Sequence, residues 1–224
     1  MEILGMFAKH WRAGQVKTRL GATIGMQPAA EIHRLFVQTA VKRFGSLGDR
    51  RILAYAPHDA EASFAAMTGD AWRLLPQSPG SLGDRISQFF AASFAGGSSR
   101  VVLIGSDSPN LPVQYVHQMF RQLEEADVTL GPAEDGGYYA IGLKSRCDRL
   151  FEEIAWSTPD VLEQTLARCR TLGLRTFQSP TWYDVDTQDD LSRLQTDLPH
   201  AFSEIALRRL AVELTSLLSD CPPQ

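Results

Sequence analysis

The chain has 224 residues, of which 44% are hydrophobic and 21% are charged, and its formal net charge at pH 7 is −4. This length and apolar content suit one α/β domain, so we expect a single domain over residues 1–224. The acidic balance argues against a nucleic-acid partner, and no apolar stretch approaches the ~18 residues of a membrane span, so we expect a cytoplasmic protein.

Seven short runs rich in apolar residues predict β-strands. In chain order they are residues 3–8, 51–56, 73–75, 101–105, 127–131, 138–143 and 175–178. Several are continuous apolar runs rather than alternating ones, which is typical of strands that are buried on both faces.

Helical periodicity occurs between these strands. Apolar residues at helical spacing predict one helix after Pro28, a second after Pro112 and a third that opens at Thr158. A long amphipathic helix is predicted over residues 200–219, packing on the domain, with Phe202 on its apolar face. This order predicts an α/β fold with a mostly parallel central sheet, helices on both faces and a ligand crevice at the carboxyl ends of the strands.

The loop after the first predicted strand, residues 8–20, is basic. It places Gly14, Lys17 and Arg19 beyond the carboxyl end of a buried strand, where they could enclose phosphate oxygens. Lys9 adds positive charge. The alternative is a solvated basic turn, because most lysine and arginine side chains are exposed.

A carboxylate follows the apolar strand at residues 101–105. Asp107 should lie over the crevice, where it is a suitable hard oxygen ligand for Mg²⁺ or Mn²⁺ bridging a diphosphate. Alternatively, Asp107 accepts backbone hydrogen bonds in its turn. We favour the metal role because the residue follows a central strand.

The segment 182–191 is rich in aspartate. We treat Asp184 and Asp186 as pointing to opposite faces of an extended segment, so that only one of them meets the same metal, and we choose Asp186. Thr187 and Asp190 match a capping box that opens a helix, so we assign them no catalytic role.

A glycine pair lies in the segment 130–143. Asp135 precedes Gly136 and Gly137, which would let the backbone approach a ligand closely. The alternative is an ordinary Asp-Gly hairpin, which we prefer for this segment taken alone.

The histidines and cysteines form no recognisable site. The histidines are His10, His33, His58, His117 and His200. They lack zinc-ligand spacing, so we expect solvated or partly buried side chains. Cys147, Cys169 and Cys221 lie far apart without a Cys-x-x-Cys pair, which indicates neither a disulfide framework nor a zinc site.

Six segments, taken together and in this order, resemble the small bacterial glycosyltransferase-A-like (GT-A) proteins of largely unassigned substrate, in the nucleotide-diphospho-sugar transferase superfamily. They are MFAKHWRAGQVKTRL, LLPQSPGSLGDRI, LIGSDSPNLP, LGPAEDGGYYAIGL, IAWSTPDVLEQT and WYDVDTQDDL, and they span nearly the whole chain. The resemblance implies a single GT-A domain, a nucleotide site at the first loop and a divalent metal at the strand-end aspartate.

Individual positions match the motifs of this family. The matches are Lys17, Thr18 and Arg19 for the basic triplet, Asp107 for the metal-type aspartate, and Asp135, Gly136 and Gly137 for the glycine turn. Trp156, Ser157 and Thr158 match a loop before a helix, and its role stays open.

The resulting hypothesis is glycosyl transfer from a nucleotide-diphosphate sugar to a small acceptor. Asp107 and Asp186 would hold Mg²⁺ or Mn²⁺, while Lys17 and Arg19 would neutralise the leaving diphosphate. Asp135 would position or deprotonate the acceptor. The other nucleotide-binding candidates are Ala8, Lys9, Gly14, Thr18, Gly83, Asp84, Arg85, Gly136 and Gly137, with residues 83–85 assigned to the base or ribose.

Two alternatives stay open. The segment DVDT also resembles the metal-binding ending of nucleotidyltransferases with the same fold, which join a nucleoside triphosphate to a phosphorylated metabolite and release pyrophosphate. The second is a non-catalytic nucleotide-binding protein. The sequence leaves open the nucleobase, the sugar, the acceptor, the stereochemical course and the oligomeric state.

Overall fold

The computed structural model describes residues 1–201 and 204–219. The strands are β1 Glu2–Lys9, β2 Arg50–Ala56, β3 Arg73–Pro76, β4 Arg100–Ile104, β5 Val128–Pro132, β6 Tyr138–Leu143 and β7 Thr176–Gln178. The α-helices are α1 Thr18–Ile24, α2 Met26–Arg43, α3 Glu61–Thr68, α4 Leu82–Ala95, α5 Val113–Gln122, α6 Val161–Thr171, α7 Gln188–Asp197 and α8 Ile205–Ser219. Phe202 and Cys221, named above, lie outside the described residues. None of the described helices is long and apolar enough to cross a membrane.

The strands form one sheet in the order β3-β2-β1-β4-β6-β5-β7. Only β6, among these described strands, runs antiparallel to its neighbours β4 and β5; the other pairs are parallel. The mostly parallel α/β sheet is therefore confirmed. β6 differs because only residues 133–137 separate it from β5, which is too short for the crossover that parallel strands need. The hairpin alternative is correct for this segment.

Helices cover both faces of the sheet, as predicted. α2, α3 and α5 pack on one face, and α4 and α6 pack on the other. In β4 the side chains of Val102 and Ile104 belong to the first core and those of Val101 and Leu103 to the second. Because both faces are covered, a central strand is apolar at every position rather than at every second one.

A third apolar cluster lies away from the sheet. It joins α1 and α2 to α7 and α8 through buried residues that include Leu20, Phe36, Leu191 and Leu210. The predicted C-terminal helix thus packs on the rest of the chain, but it begins at Ile205 and is preceded by a short 3₁₀ helix, Leu198–Ala201.

Three helices, α1, α3 and α4, are not predicted by the sequence patterns. α1 has only seven residues and begins inside the basic loop, and the apolar residues of α3 do not follow one face. α4 begins with a capping box of Ser81 and Asp84. α6 begins at Val161 rather than at Thr158, whose hydroxyl donates to the carbonyl oxygen of Ala155.

A buried arginine connects the C-terminal segment to the loop that carries Asp107. The side chain of Arg43, at the end of α2, is only 1% exposed. Its Nη1 donates to the carbonyl oxygens of Pro109 (2.7 Å) and Leu111 (2.8 Å), and its Nε and Nη2 donate to the carboxylate of Glu204 (2.7 and 3.0 Å). These contacts fix the course of the loop after β4.

Replacement of this arginine should destabilise the protein strongly. Arg43→Ala would leave two buried carbonyl oxygens and one carboxylate without their donor, so we expect a loss of about 3–5 kcal/mol in the free energy of unfolding, measured in urea. The control is Arg209→Ala, which removes an exposed i,i+4 pair with Glu213 and should cost about 0.5 kcal/mol or less. Equal losses of unfolding free energy in the two variants would contradict the proposal that the hydrogen bonds of Arg43 stabilise the loop after β4.

Candidate functional site

Three segments distant in sequence converge at one edge of the sheet. β1 and β4 are parallel neighbours, with Met6 paired to Ile104, so the loops that follow them lie side by side. Lys17 lies in the first loop, Asp107 lies in the second, and Asp186 precedes α7. The Nζ atom of Lys17 donates to Oδ1 of Asp107 and, at 2.8 Å, to Oδ1 of Asp186. The structure therefore brings together three of the predicted site residues.

Lys17 has an unusual backbone conformation and a buried side chain. Its φ of 47° and ψ of 43° lie in the left-handed region, which costs a lysine about 1–3 kcal/mol. The side chain is 2% exposed, and its ammonium lies 5.8 Å from the centre of the Phe36 ring. Burial alone would lower the pKa of Lys17, but the charges of Asp107 and Asp186 outweigh it and raise that pKa. The ammonium is therefore retained at the site.

The carboxylates beside Lys17 differ in their surroundings. Burial acts to raise the pKa of Asp107, but the nearby charges of Lys17 and His33 hold it at about 2. The Asp107 side chain nevertheless keeps 44% of its surface exposed on the cleft side. Asp186 also accepts a hydrogen bond at Oδ2 from Nη2 of Arg19 (2.7 Å), whose guanidinium is largely exposed.

A cleft of about 670 Å³ lies beside these groups. Among the predicted positions, those that line it are Ala8, Lys9, Lys17, Thr18, Arg85, Asp107 and Asp186. The predicted positions outside the lining are Gly14, Arg19, Gly83, Asp84, Asp135, Gly136 and Gly137. Arg19 still reaches the site through its contact with Asp186.

The structure places Gly83 and Asp84, which were assigned to the base or ribose, in the first turn of α4 and outside the cleft lining. The carboxylate of Asp84 accepts hydrogen bonds from the backbone and hydroxyl of Ser81, which lower its pKa and cap α4. A Cβ atom on Gly83 would lie 2.3 Å from Nε1 of Trp156, so glycine is needed for the indole to pack there. The same contact holds the loop that carries Trp156 against α4. Ser157, the next residue of that loop, has φ of 66° and lines the cleft.

The glycine turn contacts α6 rather than the cleft. Gly136 has φ of 89°, and a Cβ atom on it would lie 1.9 Å from the carbonyl oxygen of Pro159. Its own carbonyl oxygen accepts from the backbone of Leu162 (3.0 Å). Oδ1 of Asp135 accepts from the backbone of Gly137 (2.9 Å). With these contacts, Gly136 and Gly137 lie outside the cleft lining.

The expectation that Asp184 and Asp186 face opposite ways is also wrong. Residues two apart in an extended segment share a face, and Val185 between them is fully buried. Asp184 accepts a hydrogen bond from Oγ of Ser108 and lies near Asp107. Burial, together with the charge of Asp107, raises the pKa of Asp184 to about 6. Two carboxyl groups with very different proton affinities therefore lie at this site.

His33 is a further residue of the site that the sequence patterns did not indicate. This residue is 3% exposed in the middle of α2, and its Nε2 lies 3.0 Å from the carbonyl oxygen of Lys9. Its Nδ1 lies 3.8 Å from Oδ1 of Asp107. The available signal was helical spacing, because His33 is three and four residues from the buried Phe36 and Ala29.

Comparison with known proteins gives a family and a close structural relative. The family described as "Uncharacterized protein conserved in bacteria (DUF2064)" matches residues 40–158. No match is found among the curated proteins. The chain is similar to a crystal structure from Desulfovibrio desulfuricans G20 that is provisionally assigned as a nucleotide-diphospho-sugar transferase. The two chains are 34% identical over 97% of this chain and 96% of that chain, with a TM-score of 0.89.

Two other solved structures are similar in fold alone. CMP:2-keto-3-deoxy-manno-octonic acid synthetase complexed with CTP is 12% identical over 89% of this chain and 99% of that chain, with a TM-score of 0.59. The inositol-1-phosphate CTP transferase from T. maritima is 14% identical over 95% of each chain, with a TM-score of 0.56. The fold is therefore that of the nucleotide-diphospho-sugar transferases.

Removal of the Asp184 charge should stabilise the protein above pH 6. The folded-state pKa of about 6 exceeds the ordinary value of 3.8, so the folded protein holds this proton more tightly and loses stability as pH rises from 4 to 6. We expect Asp184→Asn to be more stable than the wild type by roughly 1–2 kcal/mol at pH 7.5, with the gain vanishing below pH 4.

Urea unfolding at pH 4 and pH 7.5 measures this difference. Asp70→Asn, at an exposed position, corrects for the loss of one negative charge. A gain for Asp184→Asn of the same size at both pH values would contradict the prediction.

Proposed function

The chain belongs to the bacterial DUF2064 family, and we propose that it is a metal-dependent transferase that moves the glycosyl group of a nucleotide-diphosphate sugar to a small acceptor. One observation carries this proposal: a buried ammonium lies between two strand-end carboxylates at the side of a large cleft. A relative of 34% identity with a provisional assignment to this class supports it.

The cleft contains the positive charge that a diphosphate requires. Lys9 from β1, Lys17 from the first loop and Arg85 from α4 line it from different directions. Ammonium and guanidinium groups bind phosphate oxygens through short, charge-assisted hydrogen bonds. The guanidinium of Arg19 would add a contact at the rim, where it already reaches Asp186.

Asp107 and Asp186 fit a divalent ion in charge and in donor type. Their Oδ1 atoms both accept from one ammonium, so the pair already accommodates a cation. Carboxylate oxygens are suitable ligands for Mg²⁺ and Mn²⁺. A divalent ion bound there would supply further neutralisation of the diphosphate charge. Within residues 1–201 and 204–219, no group of three or more histidine, cysteine or acidic side chains is arranged to hold a metal ion.

The remaining steps use the chain's own residues. When the bond between the sugar and the diphosphate breaks, negative charge grows on the leaving phosphate, and Lys17 and Arg19 would stabilise it. Asp135 lies in an exposed turn outside the cleft lining, so it would act only on an acceptor bound at the rim. We retain Asp135 in this limited role.

Nucleotidyl transfer is the second candidate function. The observation that favours it is the number of cations: Lys9, Lys17 and Arg85 in one cleft match a triphosphate as well as a diphosphate. In that reaction a phosphorylated substrate attacks the α-phosphate of a nucleoside triphosphate and pyrophosphate leaves. The same basic groups would then bind the pyrophosphate.

Product analysis separates the candidates. We expect release of nucleoside diphosphate when nucleotide sugars are supplied with Mn²⁺ or Mg²⁺, measured across a panel of bases, sugars and small acceptors. Release of pyrophosphate from nucleoside triphosphates and sugar phosphates, without turnover of any nucleotide sugar, would favour the second candidate. Nucleotide binding without turnover in both assays would indicate a non-catalytic binding protein.

Asp107 should be essential for turnover. Asp107→Asn keeps the size of the side chain but removes its charge, so we expect kcat to fall by about 100-fold or more. The control is Asp59→Asn, at an exposed carboxylate that pairs with Arg12 outside the cleft lining, and its kcat should stay within about twofold of the wild type. Normal kcat in Asp107→Asn would contradict the proposed role.

A further inference from the structure

The start of β6 forms the wall of the cleft beside Asp107. The backbone nitrogen of Gly105 donates to the carbonyl oxygen of Tyr139 (2.9 Å), so β6 begins next to the loop that carries Asp107. Tyr138 and Ser157 line the cleft at this end and form what we call the β6 wall. Among the described residues, none from β5, the next strand of the sheet, belongs to the lining. The cleft therefore ends at the β6 wall.

Tyr138 offers an aromatic surface to the cleft rather than a polar group. Its hydroxyl oxygen is shielded from solvent, although the residue as a whole is partly exposed. The Tyr138 ring meets the Trp156 ring edge to face, with the ring centroids 6.5 Å apart. Trp156 in turn packs against Gly83 of α4, so this packing supports the Tyr138 ring. A ligand in the cleft can contact the ring but not its hydroxyl.

Ser157 supplies the polar group of the β6 wall. Its side chain is exposed, and its hydroxyl makes no hydrogen bond to a described residue. Its φ of 66° lies in the left-handed region, and residues other than glycine that are held there cluster at ligand-binding sites. A free hydroxyl can both donate to and accept from a hydroxyl group of a ligand.

The lysine and arginine side chains that line the cleft are engaged away from the β6 wall. Lys9 is the last residue of β1, and the ammonium of Lys17 donates to the carboxylates of the site. Nε of Arg85 donates to the carbonyl oxygen of Gly80 (3.1 Å), which directs its guanidinium toward the segment after β3. The β6 wall therefore has no cation of its own.

The rim beside the β6 wall carries negative charge. Gly136 packs against Pro159, two residues after Ser157. Asp135 and Asp160, the neighbours of these two residues in the chain, are both exposed. A negatively charged group bound at the β6 wall would meet like charges and no cationic partner, which costs binding energy.

The cleft is longer on the other side of Asp107. From β4 it extends past β1 and β2 to Gln77, which follows β3. Adjacent strands lie about 4.8 Å apart, so this side spans roughly 14 Å, whereas the β6 wall is one strand spacing from β4. A nucleoside has two linked ring systems and a pyranose has one. The long side therefore suits the nucleoside, and the short side suits the sugar.

Resting on the proposed glycosyl transfer, we propose that the β6 wall is the subsite of the transferred group and that this group is an uncharged pyranose. The ring of Tyr138 supports the C–H face of the sugar, because the face of an aromatic ring is electronegative. The hydroxyl of Ser157 binds a hydroxyl group of the sugar. In this position the sugar lies beside a diphosphate bound near Asp107.

The test compares nucleoside diphosphates with their sugar esters. UDP, GDP, ADP, CDP and dTDP are titrated by calorimetry with Mn²⁺ present, each as the free diphosphate and as its glucose, galactose and glucuronic acid esters. Glucose and glucuronic acid differ only at C6, where the acid carries a carboxylate. We expect the glucuronic acid ester to bind about 10-fold more weakly than the glucose ester, because its charge has no partner at the β6 wall.

Tyr138→Leu and Ser157→Ala are the diagnostic variants. We expect each to weaken the binding of the neutral sugar esters about 3–10-fold, while binding of the free diphosphate stays within about twofold. Tyr138→Phe keeps the ring and should restore the affinity that is lost in Tyr138→Leu. Ser157→Gly lacks the hydroxyl but adopts positive φ without strain, so it should bind the esters as weakly as Ser157→Ala. The Ser157 variants carry the test if Tyr138→Leu does not fold.

The outcomes separate the sugar subsite from the proposed function. Absence of binding by all five diphosphates and their esters would overturn both. Binding of a free diphosphate without its neutral esters, unchanged ester affinity in the variants, or equal weakening of diphosphate and ester would overturn the subsite and leave the nucleotide site intact. A glucuronic acid ester that binds as tightly as the glucose ester would overturn the preference for an uncharged sugar. Selective weakening of the neutral esters in Tyr138→Leu and in both Ser157 variants would support the subsite.

Discussion

The contact of the buried Lys17 ammonium with Asp107 and Asp186 is the interaction on which the site depends. An unpaired ammonium in a protein interior costs several kcal/mol, so Lys17 can be buried only because two carboxylates face it. The same contact joins three segments that are separated by up to 169 residues. It defines a position at the sheet edge where two carboxylates bind a single positive charge.

The position of each partner follows from a different part of the fold. The parallel pairing of β1 with β4 brings Lys17 and Asp107 to the same edge of the sheet. Asp186 is positioned differently: it precedes α7, which packs with α8 against α1 and α2 in a cluster away from the sheet. Arg43 then links α2 and the C-terminal segment to the loop after Asp107. The candidate site is thus sensitive to packing at a distance from the cleft.

The sheet was predictable from the sequence, and several helices were not. The central strands are recognisable in the sequence because helices cover both faces of the sheet, so a strand such as β4 is apolar at nearly every position. Helices such as α1 and α4 are short or begin with turn residues, and their burial depends on partners from elsewhere in the chain. The direction of β6 followed from the short turn before it, which a sequence can specify locally.

The amino-acid sequence specifies where the strands end and therefore places Lys17 and Asp107 in one region, because the residues that follow neighbouring parallel strands lie at the same edge of the sheet. Which other side chains reach this region depends on the packing of the whole chain. In the folded chain Asp84 caps α4 and Gly136 packs against the segment at the start of α6. His33, from α2, lies beside Asp107. These outcomes depend on distances between segments remote in sequence, and local pattern carries no information about such distances.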